Sequence, residues 1–144
     1  MAFKVLIMGL PGSGKTTLAN ALIEHLKVVQ PQMQVDWFNA DLIRQQFNDW
    51  DFSREGRLRQ SGRMANLASN SEADLVICDF VAPIEAMREI FAADYTIWLD
   101  TISEGRFEDT NSLFCAPKSY MFRISEKNAQ AWVGPITSSL ISVL

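Results

Sequence analysis

Cysteine, histidine and long apolar runs are what this 144-residue chain has least of. Its two cysteines, Cys78 and Cys115, form no CxxC pair. That excludes a disulfide framework and a cysteine zinc site, and it suits a reducing cytoplasm. The one histidine, His25, falls within a helical apolar pattern and reads as a packing or surface residue. No stretch approaches the roughly 18 apolar residues a membrane helix needs. The apolar start of the chain is too short for a secretory signal and runs at once into a glycine-rich loop. Seven glycines and five prolines are too few for a collagen-like or low-complexity chain. With 48% hydrophobic and 21% charged residues, one soluble folded domain over residues 1–144 is the expectation.

An excess of positive charge is missing too. The net charge is −4, and it is unevenly spread. Residues 1–63 carry eight basic and six acidic groups, residues 64–144 five and eleven. Most of such a surface repels a long polyanion, so a nucleic-acid role would be confined to a strand end. A small anionic ligand gripped by the N-terminal half is compatible with this balance.

What is present is a series of short apolar runs. FKVLIM (3–8), QVDWF (34–38), ADLVICDF (73–80), YTIWLD (95–100) and SYMFRI (119–124) read as strands. Helical spacing follows over Lys15–Lys27 and Asp41–Phe47. A third helix, capped by Ser53, runs to about Ser69 with Leu58, Met64, Leu67 and Ala68 facing inward. Pro83 fits the first turn of a helix reaching about Ala92, and a last helix is expected over Ser125–Val133. The closing GPITSSLISVL shows no clear period, and fits an extra strand, a packing arm or a dimer contact. Continuous rather than alternating apolar strands, each followed by a helix, predict a three-layer α/β/α domain around five parallel strands.

Between the first strand and first helix lies Gly9-Leu10-Pro11-Gly12-Ser13-Gly14-Lys15-Thr16, the G-x-x-x-x-G-K-[ST] phosphate loop. Its glycines leave backbone N–H groups free to cradle phosphate oxygens, and the helix behind it points its positive end at them. Gly9, Gly12, Ser13, Gly14, Lys15, Thr16 and Thr17 are the expected nucleotide-binding set. Lys15 would reach the β- and γ-phosphates of ATP, and the Thr16 hydroxyl would hold magnesium. Asp79, closing the strand LVICD, is the second expected magnesium holder. No NKxD guanine motif is present, and the chain is too short for a motor domain. A small-molecule kinase is the best match to the size and strand pattern.

The stretch Asn39-Ala40-Asp41-Leu42-Ile43-Arg44, then Phe47-Asn48, then Asp51-Phe52-Ser53-Arg54-Glu55-Gly56-Arg57 resembles adenylylsulfate (APS) kinases, which read D-G-D-N-x-R, Asn and G-F-S-x-x-x-R at the same spacing. The resemblance covers about residues 3–100, including Arg63, Ala68 and the Val81-Ala82-Pro83 turn. It implies an Mg-dependent transfer of the ATP γ-phosphate to the 3′-hydroxyl of APS, giving 3′-phosphoadenylylsulfate, in a cytoplasmic enzyme. It implies that Asp41 orients or deprotonates that hydroxyl, that Arg44 and Arg57 hold the phosphosulfate, that Phe52 stacks on adenine and that Asn48 contacts the same nucleotide. A homodimer is one expectation, since APS kinases are commonly dimers.

Bland readings stand beside these. Asp41 also fits a helix cap, and Arg59 a surface ion pair with Glu55 four residues earlier. Arg63 fits either role. Phe47, Trp37, Trp50 and Trp98 read as packing residues. The departures from the family pattern are Asn39 and Ala40 in place of its first Asp-Gly, Asp79 in place of a serine, and Ala82 in place of a serine that some members phosphorylate. After Asp100 the family's basic lid segment is not recognisable. The polar stretch 101–118 suits a mobile lid, and Arg106, its one central basic residue, is the candidate to meet the transferred phosphoryl group. The alternatives are a same-fold kinase for another hydroxyl (a nucleoside, nucleic-acid end, sugar acid or antibiotic) and a non-catalytic nucleotide-binding module.

Overall fold

The computed structural model describes residues 2–144. Its elements are β1 (Phe3–Gly9), α1 (Lys15–Val29), β2 (Val35–Asn39), α2 (Ala40–Phe47), α3 (Arg54–Ser69), β3 (Leu75–Asp79), α4 (Glu85–Phe91), β4 (Tyr95–Leu99), α5 (Glu108–Leu113), β5 (Phe122–Ile124) and α6 (Ala129–Val143). All strand pairs are parallel, in the order β2-β3-β1-β4-β5. The fold is the expected three-layer α/β/α sandwich.

The two-residue period of β1 builds both cores at once. Val5 and Ile7 join Leu18, Leu22 and Leu26 of α1 and Ile136 and Leu140 of α6 on one face. Leu6 and Met8 join Met64 of α3 and Phe91, at the end of α4, on the other. Every one of these side chains is buried, which is why the strand reads as an unbroken apolar run. β1 is followed by β2 on the far side of β3, so the strand order reverses beside β1. Ligands of open α/β sheets gather at the C-terminal ends of the strands at such a point.

Several elements differ from expectation. β5 keeps only three residues, and α6 begins at Ala129 and runs to Val143. The terminal segment is therefore helical: Val133, Ile136, Thr137 and Leu140 are buried at helical spacing despite Pro135 inside the helix. Pro83 precedes α4, whose cap is Ile84. Phe47 is 53% exposed, its ring lying 4.3 Å from the Arg63 guanidinium carbon rather than in the core. Arg59 does form ion pairs, with Asp49 and Asp51 rather than Glu55, because the turn between α2 and α3 brings those carboxylates to it. Among the described residues no helix is long and apolar enough to cross a membrane.

Candidate active site

The chain leaves β1 at Gly9 and turns over the phosphate loop into α1. A Cβ at Gly9 would stand 2.6 Å from both Leu99 O and Ser13 Oγ, so only glycine fits. Gly14 holds the left-handed conformation, φ 104°, that starts α1. The first turn of α1 contains no acid, so its partnerless N–H groups present positive potential without a competing carboxylate. Gly12, Gly14, Lys15, Thr16 and Thr17 line a cleft of about 790 Å³. Lys15 Nζ donates to the carbonyls of Gly9 and Leu10, each at 3.0 Å. Burial depresses its pKa to about 8, against the upward pull of Asp79 and Asp41. Ser13 is turned away from the cleft. Its buried hydroxyl has no hydrogen-bond partner among the described residues, and its N–H donates to Leu10 O at 3.1 Å. Ser13 and Gly9 shape the loop from below.

Across from Lys15 stands Asp79, 2% exposed at the end of β3. Three donors hold it: Trp37 Nε1 to Oδ1 at 2.9 Å, and Asn39 Nδ2 and Thr16 Oγ1 to Oδ2 at 3.0 and 3.1 Å. Burial raises its pKa above the ordinary carboxylate value, while these hydrogen bonds oppose the rise. Two hard oxygen donors, Thr16 Oγ1 and Asp79 Oδ2, thus sit side by side at the phosphate loop. Among the described residues no group of three or more metal-ligating side chains exists. That donor set fits magnesium, which binds through one or two protein oxygens together with phosphates. Trp37 was invisible as a site residue in the sequence, and Asn39 stood out only as a departure from the family's first Asp, because their role depends on the β2–β3 register that pairs Asn39 with Asp79.

On the other wall, Asn39 rather than Asp41 caps α2, accepting from the Leu42 N–H at 3.1 Å. Asp41 is left exposed with its side chain lining the cleft. Trp50 and Phe52, about half exposed, form an aromatic rim beside it. Arg57 lines the cleft but is 7% exposed; its Nε donates to Phe52 O at 2.8 Å and its Nη2 to Thr110 Oγ1 at 2.9 Å. Arg44 and Asn48 do not line the cleft. Arg44 is buried, donating to the carbonyls of Asp49 and Asp51 at 3.0 and 3.1 Å, with Phe52 stacked 4.3 Å from its guanidinium carbon. Asn48 terminates α2 in the left-handed conformation and faces solvent.

The stretch after β4 arches over the phosphate loop. Thr101 Oγ1 donates to Ser13 O at 2.7 Å, and Gly105 packs close enough to Pro11 that a Cβ would lie 3.0 Å from its carbonyl. Asn111 bonds both backbone groups of Gly105, at 2.7 and 2.9 Å. Arg106, Phe107, Asp109 and Thr110 enter the cleft from this side, and Lys127 from the β5–α6 loop. Lys127 carried no signal in the sequence, since a lone lysine in a polar loop looks like any solvated charge.

The sequence and the fold have counterparts among known proteins. The adenylylsulphate kinase family profile matches residues 1–100. A probable adenylyl-sulfate kinase of Aeropyrum pernix is 36% identical over 89 residues, which span 60% of this chain and 48% of that protein. The match thus spans about half the length of that relative. The crystal structure of APE1195 superimposes with a TM-score of 0.78 at 25% identity, covering 99% of this chain and 96% of the other. The Mycobacterium tuberculosis APS kinase CysC in complex with AMPPNP and APS superimposes with a TM-score of 0.79 at 20% identity, covering 97% and 98%. A phosphate loop, a cleft at the strand ends and a family profile covering more than half of the sequence lead to one conclusion: the chain belongs to the adenylylsulphate kinase family.

Proposed function

We propose that this chain transfers the γ-phosphoryl group of ATP to the 3′-hydroxyl of APS, with magnesium. The observation that carries this reading is that one cleft is lined by both the phosphate loop and an uncommitted carboxylate, Asp41, with Phe52 beside it. The Mycobacterium tuberculosis APS kinase of the same fold has a structure in complex with AMPPNP and APS, which supports this acceptor.

Each role follows from the chemistry. The N–H groups opening α1 and the Lys15 ammonium bind the β- and γ-phosphates and neutralise the charge that moves. Thr16 and Asp79 would hold magnesium, whose chemistry there would be further charge neutralisation at the phosphates. Asp41 accepts the proton of the 3′-hydroxyl as that oxygen bonds to the γ-phosphorus and the bond to ADP breaks. Phe52 offers its ring to the acceptor base, and Arg44, stacked behind it, fixes that ring instead of touching substrate. Arg57, whose guanidinium carbon lies 5.5 Å from the Phe52 ring centroid, is the cation assigned to the acceptor, and Arg106 and Lys127 enter the cleft as further cations for the phosphoryl groups.

One observation favours a second reading, a different hydroxyl acceptor. Arg44 is spent on backbone carbonyls, and Arg57 is shared with Thr110. Arg57 already gives two of its five N–H groups to Phe52 O and Thr110 Oγ1, so a dianionic phosphosulfate would meet one arginine with three donors left instead of two free arginines. ATP consumption with magnesium, measured with APS, AMP, shikimate and an oligonucleotide 5′-end in parallel, separates the readings. APS-dependent turnover, lost in Lys15→Ala, is the expected result. A preference for any other acceptor overturns APS as substrate.

A further inference from the structure

One side chain touches both halves of the cleft. Asn39 Nδ2 donates to Asp79 Oδ2 at 3.0 Å and to Thr16 Oγ1 at 3.1 Å, while its Oδ1 accepts from the Leu42 N–H at 3.1 Å. Its neighbours dictate how the amide is turned. The carboxylate requires a donor and the helix N–H requires an acceptor, so the opposite rotation sets like groups against each other at both ends. The chain path leaves little slack. Asn39 is the last residue of β2, in register with Asp79, and α2 begins at the next residue. Asp41 is the second residue of that helix.

We infer that Asn39 is a positioning residue coupling the nucleotide side of the cleft to the acceptor side. Its amide N–H groups fix Asp79 and Thr16, and its amide oxygen fixes the turn of α2 that carries Asp41. The inference rests on the roles of Asp79, Thr16 and Asp41 proposed above. Among the good helix-capping residues, only asparagine carries a donor and an acceptor on one short planar group. Aspartate at this position caps α2 but sets a second carboxylate against Asp79. Serine caps α2 but is too short to reach Asp79 as well.

The comparison of Asn39→Ser with Asn39→Ala in the full chain tests this. Three quantities are read: ADP affinity by titration calorimetry with and without Mg²⁺, the melting temperature, and KM for APS. Asn39→Ser retains the cap, so its melting temperature stays near wild type, while the gain in ADP affinity from Mg²⁺ falls about 10-fold. Asn39→Ala loses the same Mg²⁺ gain, melts lower and shows a higher KM for APS. A wild-type Mg²⁺ gain in Asn39→Ser overturns the inference. So does an Asn39→Ala variant matching Asn39→Ser in both melting temperature and KM. The ADP titration involves no acceptor. A wild-type chain inactive on APS therefore counts against that substrate, while the titration and the melting temperatures still decide the role of Asn39.

Discussion

The Asp41 carboxylate is exposed in the first turn of α2 while Asn39 makes the helix cap, so changing Asp41 removes a charge without removing a structural hydrogen bond. Asp41→Asn is accordingly expected to lower kcat by about 10²- to 10⁴-fold and to leave the thermal midpoint within a degree or two. A melting temperature falling in step with activity would instead make Asp41 part of the scaffold. Lys15 gives a pH signature. The unfolded chain holds this proton up to about 10.5, whereas the nucleotide-free folded chain releases it near 8. Between those values the unfolded state binds more protons, so the Lys15 contribution to stability rises with pH, by about 3 kcal/mol at most. Denaturant melts of wild type and Lys15→Met at pH 7.5 and 10 check the sign, since the stability of wild type relative to Lys15→Met must rise toward pH 10. Lys15, Thr16 and Asp79 were legible because each sits in a motif or at a strand end whose chemistry is recognisable from residue type. Trp37 was not, because an indole in a strand looks like packing until the register sets its N–H 2.9 Å from Asp79.

Among the elements, the segment over the cleft departs most from what its sequence suggests. It contains a short helix, α5, and is tied down at several points. Thr101 holds Ser13 O, Thr110 holds Arg57, the Cys115 N–H donates to Pro83 O at 2.7 Å, and Arg88 donates to Cys115 O. Six residues, EDTNSL, carry no apolar period, and the helix is tied to its surroundings by Thr110, bonded to Arg57, and Asn111, bonded to Gly105. α6 hid for another reason. Its buried positions obey the helical period, but Gly134-Pro135 reads as a stop, and packing against α1 overrides that local signal. The segment over the cleft also carries a testable charge. Asp109 Oδ2 lies 3.9 Å from Arg57 Nη2 and is largely exposed. It competes with an anionic acceptor for the guanidinium, at the strength of a solvent-exposed pair. Asp109→Asn should therefore lower KM for APS by up to about 5-fold with kcat nearly unchanged. An unchanged or raised KM in steady-state assays would mean that Arg57 does not meet the acceptor's anionic group.

At the scale of the whole molecule, the sheet order fixes where chemistry can occur. β1, β2 and β3 deliver Gly9, Asn39 and Asp79 to one edge of the sheet, and α1 and α2 start from that edge. This much was legible in advance, because uninterrupted apolar strands alternating with helices admit few arrangements besides a covered parallel sheet. The identity of the acceptor was less legible. The family resemblance implied two arginines for an anion, but burial commits Arg44 to the α2–α3 turn and shares Arg57 with Thr110 of α5. The decisive measurement follows the label itself: γ-labelled ATP incubated with APS and magnesium, with the product digested by a 3′-nucleotidase. The account predicts label on the APS-derived nucleotide, released as phosphate by that digestion and absent when 3′-deoxy-APS replaces APS. Label reaching water alone, or an acceptor position other than the 3′-oxygen, would contradict it.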